Sequence, residues 1–360
     1  MLFSCVRLLF ITSLIVWLSE PALASLGQRQ DLPIVGLIAT GGTISNNAGE
    51  RLTAAQLAAS VPDLDRYVIV ETEQFSNIPS NALTQFHWLR LANRINDFFS
   101  SRSNISGLVV TSGTDTLEET AFFLHLTVKS ELPVVVVGSM RPPDALSYDG
   151  IANLLQGLRV AAAPSSRNRG VLVVLNNEIN SARDVTKTNA QRLHSFRPGV
   201  QGLLGIVDED RIVYFRRPQQ RNTQQSEFDV TKLSRLPRVD ILLTYIDAPG
   251  GLVDAAIKGG AEGLVIAAAG AGSTTLSQTK AILEVVKAGY PVVISTRTGG
   301  GRIAARKPQI DAHRDSDGPR ASPLRIEAED LAPVKARILL MLALTVTRDG
   351  EEIQRMFEEY

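Results

Sequence analysis

Two short loops in this chain set glycine beside threonine in a way that can support chemistry. The first reads Ala39-Thr40-Gly41-Gly42-Thr43-Ile44 and the second Thr111-Ser112-Gly113-Thr114-Asp115-Thr116. Glycine lets backbone N–H groups approach a ligand closely, and threonine offers a hydroxyl next to them. Three readings of these loops compete. They are structural turns, where Gly and Thr are common; or they cradle a phosphate, although neither has the spacing of a P-loop or a dinucleotide fingerprint; or they place threonine hydroxyls for acyl transfer. In the last case the N–H donors would meet the negative charge that develops on a carbonyl oxygen. A threonine nucleophile also needs a base. The polar segment Arg183-Asp184-Val185-Thr186-Lys187-Thr188-Asn189 offers one. A lysine desolvated beside a threonine and an aspartate loses basicity and can accept a proton. Taken alone, Lys187 reads as a surface lysine.

The surrounding pattern says what must hold these loops. Ile34 to Ala39, Gly107 to Val110, Pro133 to Gly138 and Gly170 to Leu175 are near-continuous apolar runs. Such runs, separated by helical stretches such as Thr116 to Val128, indicate parallel strands buried on both faces. In open parallel sheets ligands bind beyond the carboxyl ends of the strands, where both loops fall. From Arg216 to Arg238 the composition turns to Arg, Gln, Asn, Pro and Ser, the mark of an exposed linker. Strands are expected again over Val239 to Tyr245, Leu264 to Ala269 and Pro291 to Thr296. Helices are expected over Leu252 to Lys258, Thr275 to Lys287 and Pro333 to Val346. The expectation is a two-domain α/β protein with a mainly parallel sheet in each domain: residues 32–215, a linker over 216–238, and residues 239–360.

Composition excludes several classes. At 360 residues and 44% hydrophobic, the chain can build more than one core. Lys plus Arg and Asp plus Glu are equal at 37 each, so no long-range field draws it to nucleic acid or to anionic lipid. Residues 1–24 read as a signal peptide: Arg7 gives a basic start, Leu8 to Leu18 is apolar but too short to span a bilayer, and Ala22-Leu23-Ala24 fits a cleavage site. No membrane association is expected after cleavage, and the destination is a periplasm or the exterior. The single cysteine, Cys5, would leave with the peptide, so no disulfide, thiol nucleophile or cysteine metal ligand is expected. His87, His125, His194 and His313 show no metal-ligand spacing. His125 is read as a packing or surface residue, and Tyr148 as structural.

Five blocks in order carry a resemblance. Ala-Thr-Gly-Gly-Thr-Ile at 39–44 resembles the first signature of the bacterial L-asparaginase/glutaminase family, and Ser-Gly-Thr-Asp-Thr-Leu-Glu-Glu-Thr at 112–120 the second. Gly138-Ser139-Met140-Arg141-Pro142, Arg183 to Asn189 and Lys335-Ala336-Arg337-Ile338-Leu339-Leu340 are similar to three further blocks. The resemblance covers about Leu32 to Tyr360. It implies hydrolysis of the side-chain amide of L-asparagine to L-aspartate and ammonia, without cofactor or metal, in a homotetramer built from tight dimers. Thr43 would form the acyl-enzyme, and Thr114 with Lys187 would relay protons. Asp115 would pair with the substrate α-ammonium in a partly dry pocket. Ser80 would bind the α-carboxylate, with Asn81 beside it, and Ser139 and Met140 would make main-chain contacts to the amide.

The chain departs from the family in places. Ser112 stands where many members have histidine, and Ser273 where an asparagine is frequent. Many members carry a tyrosine on a long lid after the first signature, partnered by a glutamate from a neighbouring subunit. Here Ser45 to Leu64 holds no tyrosine, and Arg297 to Arg325 holds no glutamate. Arg51 is the lid candidate, with the substrate carboxylate or an acid such as Asp311 as its partner. Two alternatives remain open: a broad glutaminase-asparaginase, and a non-catalytic periplasmic amino-acid-binding protein. The amidotransferase subunit that acts on misacylated tRNA fits neither the export signal nor the balanced charge.

Overall fold

The computed structural model describes residues 32–305 and 324–360. In chain order the strands are β1 (Ile34–Gly41), β2 (Asn46–Asn47), β3 (Glu50–Arg51), β4 (Ile69–Ile78), β5 (Ile105–Thr111), β6 (Val134–Val137), β7 (Val171–Leu175), β8 (Glu178–Ser181), β9 (Thr186–Lys187), β10 (Phe196–Arg197), β11 (Gly205–Val207), β12 (Ile212–Tyr214), β13 (Val239–Leu243), β14 (Gly263–Ala268), β15 (Val292–Thr296) and β16 (Arg325–Glu327). The helices are α1 (Ala54–Ala59), α2 (Gln85–Ser101), α3 (Leu117–Thr127), α4 (Gly150–Ala162), α5 (Gly251–Lys258), α6 (Leu276–Lys287), α7 (Pro333–Ala343) and α8 (Gly350–Glu359).

The larger sheet has the order β12-β11-β8-β7-β6-β5-β1-β4. Strands β7 through β4 in that order pair in parallel, and β8, β11 and β12 close one edge in antiparallel fashion. Successive residues of one strand enter opposite cores, as the two-residue period of a strand requires. Ile38, Leu108, Val110, Val134 and Val136 join one buried cluster. Val35, Leu37, Val109, Val135 and Val137 join the other. The smaller sheet, β13-β14-β15-β16, is parallel throughout. The architecture is therefore two-domain α/β, with mainly parallel sheets.

The apolar runs became strands, but several elements were not anticipated. Strand β4 lies between the two loop-bearing strands in sequence. It is half-exposed and carries Glu71 and Glu73, which pair with Arg102 and Arg94, so it shows no continuous apolar run. Helix α2 buries Trp88, Leu89, Leu91, Ala92, Ile95 and Phe98 behind a Thr84/His87 capping box; that spacing is helical, and it was legible. Helix α4 was also missed, although it buries Leu154, Leu158 and Val160.

The connector over 216–238 is exposed only in part. Phe228 is fully buried, Val230 and Leu236 nearly so, and Phe228 packs on Tyr360 with ring centroids 5.0 Å apart. Polar composition misled here because a few apolar residues anchor the segment. Its anchors join a cluster that runs from α2 and α3 to α7, α8 and one face of the smaller sheet. The two sheets thus share a core.

Candidate functional site

Strand β1 sits between β4 and β5. The chain leaves β1 toward β4 on one side, then returns to β5 and continues the other way through β6 and β7. The carboxyl ends of β1 and β5 are therefore the point where the order reverses, the usual crevice for a ligand. Thr43 opens a single 3-10 turn after β1, preceded by Gly42 at φ 88° and ψ −170°. Gly42 faces Gly113 so closely that a Cβ on it would overlap the Gly113 backbone. A Cβ on Gly113 would in turn lie 2.7 Å from Ser80 Oγ. Three segments remote in sequence meet here because two of them lack side chains. Thr43 and Thr114 each follow one of these glycines.

Lys187 comes from β9 and completes the group. Its Nζ donates to Thr114 Oγ1 at 3.0 Å and to Asp115 Oδ1 at 2.7 Å. The Lys187 side chain is only 14% exposed, while that of Asp115 is 74% exposed. Lys187 is not the surface lysine it resembles in isolation. Nor is Asp115 held in a dry pocket within this chain.

Other side chains fix Lys187. Glu118 Oε1 accepts from the Thr186 hydroxyl at 2.9 Å and from the Lys187 N–H at 3.1 Å. Lys335, fully buried on α7, donates to the Arg183 carbonyl at 2.6 Å and to that of Val185. Burial pushes the Lys335 ammonium down to about 8, with Glu118 and Asp184 acting against that shift. The Arg183 guanidinium forks onto Asp330 at 2.6 and 3.2 Å. The segment that delivers Lys187 is thus gripped by helix α3 on one side and by the second domain on the other. Glu118 and Lys335 stand inside the recognised sequence blocks, yet only their contacts reveal what they do.

Ser80 is buried, and its carbonyl accepts from the Thr116 hydroxyl at 3.1 Å. Asn81 next to it is exposed. Ser139 is fully buried with its hydroxyl donated to the Arg141 carbonyl at 2.7 Å. The Met140 N–H is committed to Asp149 at 3.0 Å, and Asp149 also accepts from the Arg141 N–H at 3.0 Å. The Ser139 hydroxyl and the Met140 N–H are thus already engaged within the loop. Asp149, which shapes that loop, escaped the sequence reading because its partners, two backbone N–H groups and Asn153 Nδ2, are set by the fold.

The Ser45–Leu64 segment folds as the β2–β3 hairpin followed by α1. The Arg51 guanidinium donates to the Gly42 carbonyl at 3.3 Å; its expected partner Asp311 lies outside the described residues, as does most of the basic loop. Tyr148 does reach the site: its hydroxyl donates to the Ile44 carbonyl at 2.7 Å. Burial raises the Tyr148 phenol above its ordinary range, with Asp149 adding to the effect. His125 is a packing residue. It is buried, its Nδ1 accepts from the Val171 N–H at 3.1 Å, and burial pushes it down to about 3, the Arg183 charge adding to the shift. No cluster of His, Cys, Asp and Glu suited to a metal occurs among the described residues, and no helix among them is long and apolar enough to cross a membrane.

Comparison with known proteins adds to this geometry. Residues 34–220 match the family model described as Asparaginase, N-terminal, and residues 238–357 the one described as Glutaminase/Asparaginase C-terminal domain. A protein named L-asparaginase 2 from Bacillus subtilis is 41% identical over 94% of this chain and 89% of its own length. A glutaminase-asparaginase from Pseudomonas fluorescens biotype A is 38% identical, covering 92% of each chain. The crystal structure of a chain named Probable Cytoplasmic L-asparaginase, from Campylobacter jejuni, superposes with a TM-score of 0.84 at 38% identity, covering 91% of this chain and all of that one.

Proposed function

The chain belongs to the asparaginase family of amidohydrolases, and from that premise we propose that it hydrolyses L-asparagine to L-aspartate and ammonia through a Thr43 acyl-enzyme. The observation that carries the reading is the convergence on Lys187 Nζ of Thr114 Oγ1 and the Asp115 carboxylate, groups more than seventy residues away. A threonine, a lysine and a carboxylate in mutual contact next to a second threonine loop are suited to moving a proton at a reacting hydroxyl.

Thr43 Oγ adds to the amide carbonyl, and its proton passes through the Thr114–Lys187 pair to the departing nitrogen, which leaves as ammonia. Water then adds to the ester, releases the carboxylic acid and restores the Thr43 hydroxyl. The Thr43 N–H and the glycine-flanked N–H groups at 113–114 would supply donors for the oxyanion, the Gly42 N–H being held by the Ile78 carbonyl at 3.0 Å. Asp115 is paired with Lys187; a substrate α-ammonium that takes over that carboxylate would leave Lys187 facing Thr114, so that binding sets the base. Ser80, beside Asn81, would receive the α-carboxylate.

The test is ammonia release from asparagine by the parent and by Thr43→Ala. The parent should turn over, and Thr43→Ala should retain under about 1% of that rate, the loss expected when a covalent nucleophile is removed. A Thr43→Ala protein that releases ammonia at a larger fraction ends the assignment. Asparagine binding without any turnover by the parent would instead make it an amino-acid-binding protein. The second reading, a broad glutaminase-asparaginase, is favoured by the Pseudomonas relative and is decided by the same assay run with glutamine.

Three further parts belong to the proposal. The domain division runs 32–215 and 239–360, joined by 216–238. Residues 1–24, which lie outside the described residues, are removed on export, which the mass of the mature protein would report. The working form is a homotetramer, which light scattering would report.

A further inference from the structure

The turn that carries Thr43 is held from two sides. The Gly42 carbonyl, before Thr43, accepts from Arg51 at 3.3 Å, from the Ser45 hydroxyl at 3.1 Å and from the Ser45 N–H at 3.3 Å. The Ile44 carbonyl, after Thr43, accepts from the Tyr148 hydroxyl at 2.7 Å. Arg51 arrives from the β2–β3 hairpin. Tyr148 arrives from the loop before α4, about a hundred residues further along.

The place for Tyr148 is built. Its ring packs at the edge of the cluster formed by β1, α1 and α4. Asp149 ties the following backbone to Met140, to Arg141 and to Asn153 Nδ2. Gly150 leaves the space that the phenol occupies, for a Cβ there would overlap the Tyr148 hydroxyl. A half-buried phenol needs a polar partner for its hydroxyl, and the partner it has is the nucleophile turn.

The geometry points to Tyr148 as a positioning residue for Thr43, forming with Arg51 a two-sided clamp that sets the peptide planes before and after the nucleophile. The inference rests on Thr43 being the nucleophile. A trans peptide directs its C=O and N–H oppositely. Holding the Gly42 carbonyl toward Arg51 therefore turns the Thr43 N–H to the other side, where an oxyanion donor is needed. Holding the Ile44 carbonyl toward Tyr148 likewise turns the Ser45 N–H back onto Gly42, closing the turn. In a chain with no tyrosine on its lid segment, a rigid nucleophile turn supplied from outside the lid would stand in for closure by a mobile one.

Tyr148→Phe removes one oxygen and keeps the ring. Because displacing a reacting group by about 1 Å can cost ~100-fold, kcat for ammonia release should fall about 10- to 100-fold, while KM stays within about threefold. Arg51→Ala should give a loss of the same kind. The double variant should be within about threefold of the worse single, since a turn freed on one side gains little from release on the other. The inference is overturned by a Tyr148→Phe kcat within about twofold of the parent. A rise in KM that matches the fall in kcat overturns it too, because that signature belongs to a substrate contact, and so do losses that multiply in the double variant. Thr43→Ala assayed alongside separates the two levels: if it is inactive, failure falls on the clamp alone, and if it is active, the nucleophile reading itself has failed.

Discussion

Lys187→Met separates a proton relay from a structural ion pair more sharply than any other change. Methionine matches the lysine stem in length, so packing around a side chain that is 14% exposed is largely kept. What disappears is the ammonium and its two bonds, at 3.0 Å to Thr114 and 2.7 Å to Asp115. Asp115 is 74% exposed and returns to water at little cost, so the pair contributes only about 0–1 kcal/mol to stability. Thr114 Oγ1 loses one partner in a buried setting, a further ~1 kcal/mol. The sum predicts a drop in Tm of no more than about 8 °C in a chain of this size. Activity should respond on another scale: loss of a positioned acid–base group typically costs about 100- to 10,000-fold in kcat. The assay is ammonia release at saturating asparagine, with thermal melts on the same preparations and Thr114→Val and the double variant alongside. Residues that act as one unit lose rate together, so the double should be scarcely slower than the worse single. A Lys187→Met enzyme within about tenfold of the parent, or a double variant whose losses multiply, would refute the relay.

Three other outcomes follow from particular contacts. Asp115→Ala should lower kcat/KM by about 10- to 100-fold, the worth of a charge-assisted hydrogen bond at an exposed carboxylate rather than of a buried pair; analogues without the α-amino group should be far less affected, and equal losses would dismiss Asp115 as its partner. Gly42→Ala puts a side chain at φ 88° against the Gly113 backbone, so it should cost more than about 2 kcal/mol in chemical denaturation and remove activity; a stable, active variant would contradict the close approach of the two loops. His125 is pushed down to about 3 in the fold, so below its unfolded value near 6.5 the unfolded chain binds the extra proton. Its contribution to stability is then whole above about pH 6.5 and falls by about 1.4 kcal/mol per unit as pH drops toward 3. His125→Gln should flatten the pH slope of stability between about 6 and 4, and an unchanged slope there would assign acid sensitivity to other groups.

The sequence by itself determined the strands buried on both faces, because Val134-Val135-Val136-Val137 and its neighbours can satisfy a sheet covered on both sides and little else. It also determined which loops leave the carboxyl ends of β1 and β5, and that glycine stands there beside threonine. Those are properties of residues and their immediate neighbours. It did not determine β4, whose charges find partners on α2 and on Arg102 just after it, nor the partly buried path of 216–238, where three apolar anchors outweigh a polar average. The site divides along the same line. Thr43, Thr114, Asp115 and Lys187 were nameable from their blocks, but the burial of Lys187 depends on Glu118 from α3 and Lys335 from α7. Arg51 donates to the Gly42 carbonyl, and Tyr148, read as structural, reaches the turn that carries Thr43. A side chain's partners are set by which strands cross next to one another and by where a missing Cβ lets two backbones touch, and such long-range coincidences are decided only when the chain has closed on itself.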